Sequence, residues 1–264
     1  MTQPLTDKPR GMNVGRGLRM IFVAQIVIAG LLIGIDLSSR WQLDVTRSDP
    51  APTGPVAPGD QVRRYDPSRP TPQFSNPGAR PNITMPANLP PQLDFTLEDD
   101  PDFGRILMMN GAIDQGDADR LATYLDTLDT IPATISVNSP GGNVDEALII
   151  GRLIREKALN TLILPGMACL SACPYLLAGG IERQVSQTGA VGLHQHYYET
   201  PGYMPAYFAV EDIQRSQGAV MRYLIEMGID AGVMVHGLTT PPNEIYVLVD
   251  SELLDSRLAT EVTE

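Results

Sequence analysis

Twelve prolines fall among the 42 residues from Pro50 to Pro91, mixed with Gly, Ser, Thr, Asn and Gln and with few large apolar side chains. Proline fixes φ and donates no amide hydrogen bond, and so little apolar surface does not offset the entropy of ordering the chain. The tract is predicted to be a proline-rich, disordered stalk over 38–91, biased towards extended polyproline conformations. Its end near Leu89 to Phe95 is the part best suited to join a folded domain. The stalk divides the 264-residue chain into a short N-terminal part and one folded part, 92–264.

The N-terminal part begins with a basic leader, 1–19, in which Lys8, Arg10, Arg16 and Arg19 face a single acid, Asp7. An uncharged run, MIFVAQIVIAGLLIGI, follows from Met20 to Ile35. At about 1.5 Å per residue it spans roughly 24 Å, so flanking Leu18 and Leu37 are needed to approach the ~30 Å hydrocarbon core of a bilayer. A cleaved signal peptide, an uncleaved signal anchor and a buried core helix are the three alternatives. The basic leader and the proline tract argue against a core helix, and IDLSSRWQ lacks the A-x-A-like small residues of a cleavage site. A transmembrane signal anchor over 20–37 is therefore expected, single pass, with the leader cytoplasmic and everything after Asp36 on the outer side.

The formal charge is −12, from 31 acidic and 19 basic residues, and such a surface repels phosphate backbones. Nucleic acid is thus an unfavourable partner. The only cysteines, Cys169 and Cys173, are four residues apart without the further Cys or His ligands that structural zinc needs, so no metal and no cofactor is expected.

From Gln92 the chain alternates strand-like and helix-like patterns. GRILMMNG reads as a strand, and Asp114 to Leu128 as a helix with Leu121, Leu125 and Leu128 on one face. ATISVNS is a second strand, closed by the turn signal SPGG. Asn143 is placed to cap the next helix, where Val144, Ala147, Leu148, Gly151 and Ile154 recur at helical spacing. TLILPG is a third strand running into GMACLSACPYLLAGG; RQVS and AVGLHQ are short strands, and a long helix is predicted from about Pro205 to Met227. This order argues for an α/β domain of stacked βαβ units with a mostly parallel sheet, whose active site would gather at strand ends.

Three signals sit at such ends. SPGG lets backbone approach a ligand closely and aim an N–H at it, although a tight turn needs the same residues. Ser171 lies at a strand-to-helix junction, where its hydroxyl and the first helical N–H groups suit an oxyanion; a small residue for close helix–sheet packing is the alternative. His194 ends the apolar strand AVGLHQ. Taken alone it is ordinarily a structural residue. Their order, SPGG then serine then histidine, carries the functional argument.

That ordered set resembles the ClpP family of serine peptidases, within the ClpP/crotonase fold. In that family a strand ending in NSPGG precedes a helix. A later strand leads to G-x-x-x-S, a leucine-rich helix and a glycine, and a further strand ends in HQ. The matching residues are Asn138 to Gly142, Ser171 with Tyr175, Leu176, Leu177 and Gly179, then Arg183, and His194 with Gln195. GRILMMNG with Ala112 and Ile113 resembles the family's opening strand, and the likeness covers about residues 103 to 260. Gly166 to Ser171 is one residue longer than the family's spacing; alignment from the Leu-Leu side selects Ser171.

The resemblance implies Ser171 as nucleophile, His194 as general base, and the N–H groups of Gly142 and Ala172 as the oxyanion hole. Backbone beyond Gly142 would pair with an extended peptide or protein substrate. For the residue orienting His194, PPNEIYVLVDSEL supplies Glu244 as the first choice and Asn243 as the second, with Asp250 as a helix cap. The implied protein is a serine-type hydrolase of the bacterial inner membrane with its C-terminal domain periplasmic, and a homo-oligomer by analogy. Signal peptide peptidases of this fold use a lysine base, but Lys157 is the single lysine after residue 91. A crotonase-type acyl-CoA enzyme fits poorly outside the cytoplasm. The alternative from another class is a catalytically inactive binding or scaffold domain of the same fold in the cell envelope. Cys169 and Cys173 are either two small buried residues or a disulfide, the latter only if Cys169 lies before the helix, since within regular helix their Cβ atoms stand ~5–6 Å apart.

Overall fold

The computed structural model describes residues 14–44, 73–75, 89–196 and 206–264. It divides into two units, residues 1–54 and 55–264. The first contains α1, Val14–Asp44. Its window Gly17–Gly34 is long and apolar enough to cross a membrane, a property that an N-terminal signal sequence shares, and none of that window is buried. The helix continues beyond the expected end at 37, because no proline or glycine follows Gly34 until Pro50. Residues 1–13 of the leader lie outside the described residues, and its last six, 14–19, belong to α1.

The second unit contains, in chain order, β1 Gln73–Ser75, β2 Asp94–Asp100, β3 Gly104–Asn110, α2 Asp117–Asp126, β4 Thr134–Asn138, α3 Val144–Glu156, β5 Asn160–Ile163, β6 Ala168–Leu170, α4 Cys173–Gly179, β7 Arg183–Ser186, β8 Ala190–Leu193, α5 Ala206–Glu226, α6 Met234–Thr239, β9 Glu244–Val247, α7 Asp250–Asp255 and β10 Glu261–Thr263. A six-stranded sheet has the order β10-β7-β5-β4-β3-β2, parallel except for the β2–β3 hairpin. A four-stranded sheet has the order β1-β9-β8-β6, with β8 and β9 antiparallel. The expected α/β pattern with a mostly parallel sheet is thus observed.

Local chemistry accounts for the elements. The Asn143 side chain accepts the Glu146 amide at 3.0 Å and starts α3, as its position suggested. Leu121 and Leu125 of α2, Ile150 and Ile154 of α3, and Leu107, Met109, Ile135 and Val137 of the central strands share one buried core. Helix α2 is shorter than the predicted 114–128, because Asp114 and Asp117 make its entry turn: the Asp117 carboxylate accepts the amides of Asp114 at 2.7 Å and Leu93 at 3.2 Å. Burial raises the Asp117 pKa above the ordinary carboxylate value, against those bonds and Arg120.

Two expectations are corrected. Most of the stalk lies outside the described residues, but Gln73–Ser75 is not free: it pairs in parallel with β9, and Phe74 packs on Ala168, Leu170, Ala190, Ile245 and Val247. Burial of Phe74, one of the few large apolar side chains in the tract, drives that contact. The strand entering the serine stretch is also not TLILPG. That sequence forms β5 in the larger sheet, and after a turn the chain enters β6 in the smaller one.

Helices α3 and α4 meet through glycine. A Cβ on Gly179 would lie 2.3 Å from the Gly151 carbonyl oxygen, and one on Gly151 would lie 1.9 Å from the Tyr223 hydroxyl. Backbone therefore packs on backbone. The α4 carbonyls beyond its last turn are satisfied by arginine, Arg155 Nε on Gly179 O at 2.8 Å and Arg183 Nη1 on Gly180 O at 2.9 Å. Gly179→Ala is expected to destabilise the protein by about 1–3 kcal/mol, measured by denaturant unfolding of the full chain, because the atoms its Cβ would meet are all Gly151 backbone.

Candidate active site

Strand β6 pairs with β8, and the next residue, Ser171, donates its amide to Gly192 O at 2.9 Å. There the chain turns. Ser171 has φ 62°, left-handed for a non-glycine residue, Ala172 returns to right-handed geometry, and α4 starts at Cys173 with Pro174 in its first turn. Such a backbone costs about 1–3 kcal/mol and persists only where the surroundings fix it. One restraint is covalent: Cys169 and Cys173 form a disulfide across Ser171, with Cα atoms 5.0 Å apart. Cys169 lies in a strand rather than the helix, which decides between the two alternatives for this pair.

The other restraint is the SPGG turn. The Ser139 amide donates to Ala168 O at 2.8 Å, the Leu170 amide to Ser139 O at 3.0 Å, and the Ala168 amide to Asn138 Oδ1 at 3.1 Å. Gly141 has φ 98°, and a Cβ there would stand 2.5 Å from Ser171 Cβ and 2.9 Å from the Ala172 nitrogen. Gly142 has φ 142°, and its Cβ would meet Ile113 O at 2.1 Å. Among the described residues neither the Gly142 nor the Ala172 amide donates a hydrogen bond.

His194 follows β8 directly, and its Nε2 lies 2.7 Å from Ser171 Oγ. Its position is set by the next residue. The Gln195 amide donates to Thr240 O at 2.9 Å and its side chain to Leu238 O at 2.7 Å, tying the chain to α6. Ser171, His194, Gly142 and Ala172 are therefore assembled in one place.

Glu244 is not joined to them. It opens β9, where the register pairs Leu193 with Tyr246 and Gly192 with Val247, so Glu244 shares the face of Tyr246 and Leu193. No hydrogen bond or ion pair links Glu244 or Asn243 to His194 among the described residues. Asp250 is the first residue of α7 rather than its cap; the N-terminus is closed by Glu252, which accepts the Val249 amide at 2.9 Å. Two residues carried no role at the site from sequence: Tyr175, whose hydroxyl is 2.7 Å from His196 Nε2, and His196 itself. Burial, with a smaller contribution from His194, lowers the His196 pKa to about 4. The signal was present as S-x-x-x-Y and H-x-H, which bring a second hydroxyl and a second imidazole four and two residues after the first.

No protein-family model matches the chain, and no curated protein does. Among solved structures, a ClpP1 mutant from Listeria monocytogenes is similar at 19% identity and a TM-score of 0.46, covering 60% of this chain and 91% of that one.

The disulfide closes a loop of about five residues, for which the chain-entropy relation gives roughly 2 kcal/mol. The double variant Cys169→Ala, Cys173→Ala is expected to lose about that much unfolding free energy, and reduced wild-type protein the same amount, by denaturant titration.

Proposed function

We propose that the chain is a ClpP-like serine peptidase that acts on peptides or proteins through an acyl-enzyme. The observation that carries this is the 2.7 Å contact of Ser171 Oγ with His194 Nε2 at a left-handed strand-to-helix elbow. Ser171 Oγ attacks the scissile carbonyl carbon while His194 Nε2 takes its proton. The N–H groups of Gly142 and Ala172 receive the developing oxyanion; one such donor is typically worth about 3–4 kcal/mol of barrier. His194 then protonates the leaving amine as the C–N bond breaks. Water then attacks the ester carbonyl carbon as His194 takes its proton, and His194 gives that proton to Ser171 Oγ as the ester C–O bond breaks. Gln195 fixes His194 through α6, and Glu244 has no part in this scheme.

In the same proposal α1 is an uncleaved inner-membrane anchor, with the basic leader cytoplasmic and the second unit periplasmic. Its apolar window and the disulfide, which suits an oxidising compartment, support this. A homo-oligomer remains an expectation by analogy.

Full-length protein in detergent micelles is expected to react with a fluorophosphonate serine probe. Ser171→Ala abolishes labelling, and His194→Ala slows it by about 10²–10⁴. Wild-type protein that is folded yet unlabelled, oxidised or reduced, would identify an inactive binding or scaffold domain instead.

A further inference from the structure

A second hydroxyl–imidazole pair stands one step along both segments that build the site. Ser171 and Tyr175 are four residues apart, from the elbow into α4, and His194 and His196 are two apart beyond β8. From Ser171 the chain passes through Ala172 into the first turn of α4, and from His194 it passes through Gln195 to His196, so a short step on each segment leads to the second pair. The contacts match: Ser171 Oγ to His194 Nε2 and Tyr175 hydroxyl to His196 Nε2 are both 2.7 Å. Tyr175 is held firmly. It is 1% exposed, its carbonyl accepts the Tyr223 hydroxyl at 2.6 Å, and its ring meets those of Tyr223 and His196 edge-on, with centroids 6.5 and 5.9 Å away.

We propose that Tyr175 and His196 are a positioning pair: they hold the chain after β8 in the register at which His194 Nε2 meets Ser171, and His196 does so as an uncharged imidazole. This deepens the peptidase reading above and rests on it. The pair complements Gln195, which ties the same segment to α6 on the residue between the two histidines. Neutrality matters because the imidazolium formed at His194 during attack would be repelled by a second cation beside it. The groups bearing on His196 include Tyr175 from α4 and His194 from its own segment. Met234 of α6 meets the Tyr175 hydroxyl at 3.7 Å, and Tyr223 of α5 stands behind Tyr175 with Arg152 over its ring at 5.0 Å. Burial, with a smaller contribution from His194, lowers the His196 pKa to about 4, so at neutral pH the second imidazole carries no extra proton.

The test uses the full-length chain in detergent, as wild type, Tyr175→Phe and His196→Gln. Fluorophosphonate labelling rates and histidine-ring NMR titrations are followed over the same pH range. Both variants are expected to fold and to lose roughly five- to tenfold in plateau labelling rate, the loss expected for one hydrogen bond. His196→Gln should keep a single acid limb at the wild-type midpoint. In Tyr175→Phe the His194 and His196 ring resonances should be displaced, because the contact that fixes their segment is gone. Plateau rates within twofold of wild type in both variants, or a wild-type His196 that titrates at its ordinary value, overturn the proposal. Should wild type not label at all, the peptidase reading fails and the pair is judged by NMR alone. Displaced His194 resonances in Tyr175→Phe then support it, and unchanged ones overturn it.

Discussion

Among the described residues, the two sheets of the folded unit are joined by a backbone pairing between Ser139, just after β4, and the strand β6. The Ser139 amide donates to Ala168 and its carbonyl accepts from Leu170, at 2.8 and 3.0 Å. β4 belongs to the larger sheet and β6 to the smaller, so this joint brings the SPGG turn against the residue that follows β6. Because a Cβ on Gly141 would overlap Ser171, the joint closes only with glycine there. The left-handed conformation of Ser171 is then held by the turn, by the hydrogen bond its amide donates to Gly192 of β8, and by the disulfide that spans it.

Behind the elbow, α4 is buried along its whole length, and its ends are managed by different means. At its start Pro174 presets the helical φ, and the amide preceding the helix is left for another acceptor. At its end Arg155 and Arg183 donate to carbonyls from Ala178 to Ile181. Burial, with Arg155 and Arg257 nearby, lowers the Arg183 pKa to about 10, which leaves it charged at neutral pH. These cations complement the negative end of the helix dipole, and the rigid helix in turn fixes Ser171 and Tyr175 relative to each other.

Much of this was legible in local patterns. Asn143 as a cap, SPGG as a close-approach turn and His194 at a strand end each follow from neighbours within a few residues. β6 was not legible, because three apolar residues carry no period that separates a strand from the start of a helix. β1 was hidden for a related reason: a single Phe74 between Pro72 and Pro77 has meaning only beside β9, far along the chain. Glu244 was chosen from a linear motif, whereas the pleat of β9 puts it with Tyr246. The state of the cysteines turned on whether Cys169 was helical, which composition does not decide.

The central claim is that Ser171 is a nucleophile whose oxyanion is received by the Gly142 and Ala172 amides. A crystal structure of the protein after reaction with a peptidyl phosphonate tests it most directly. The account predicts phosphorus bonded to Ser171 Oγ, with one phosphonyl oxygen about 2.7–3.1 Å from both the Gly142 and Ala172 nitrogens. An adduct on another residue, or a phosphonyl oxygen directed away from those two amides, would contradict it.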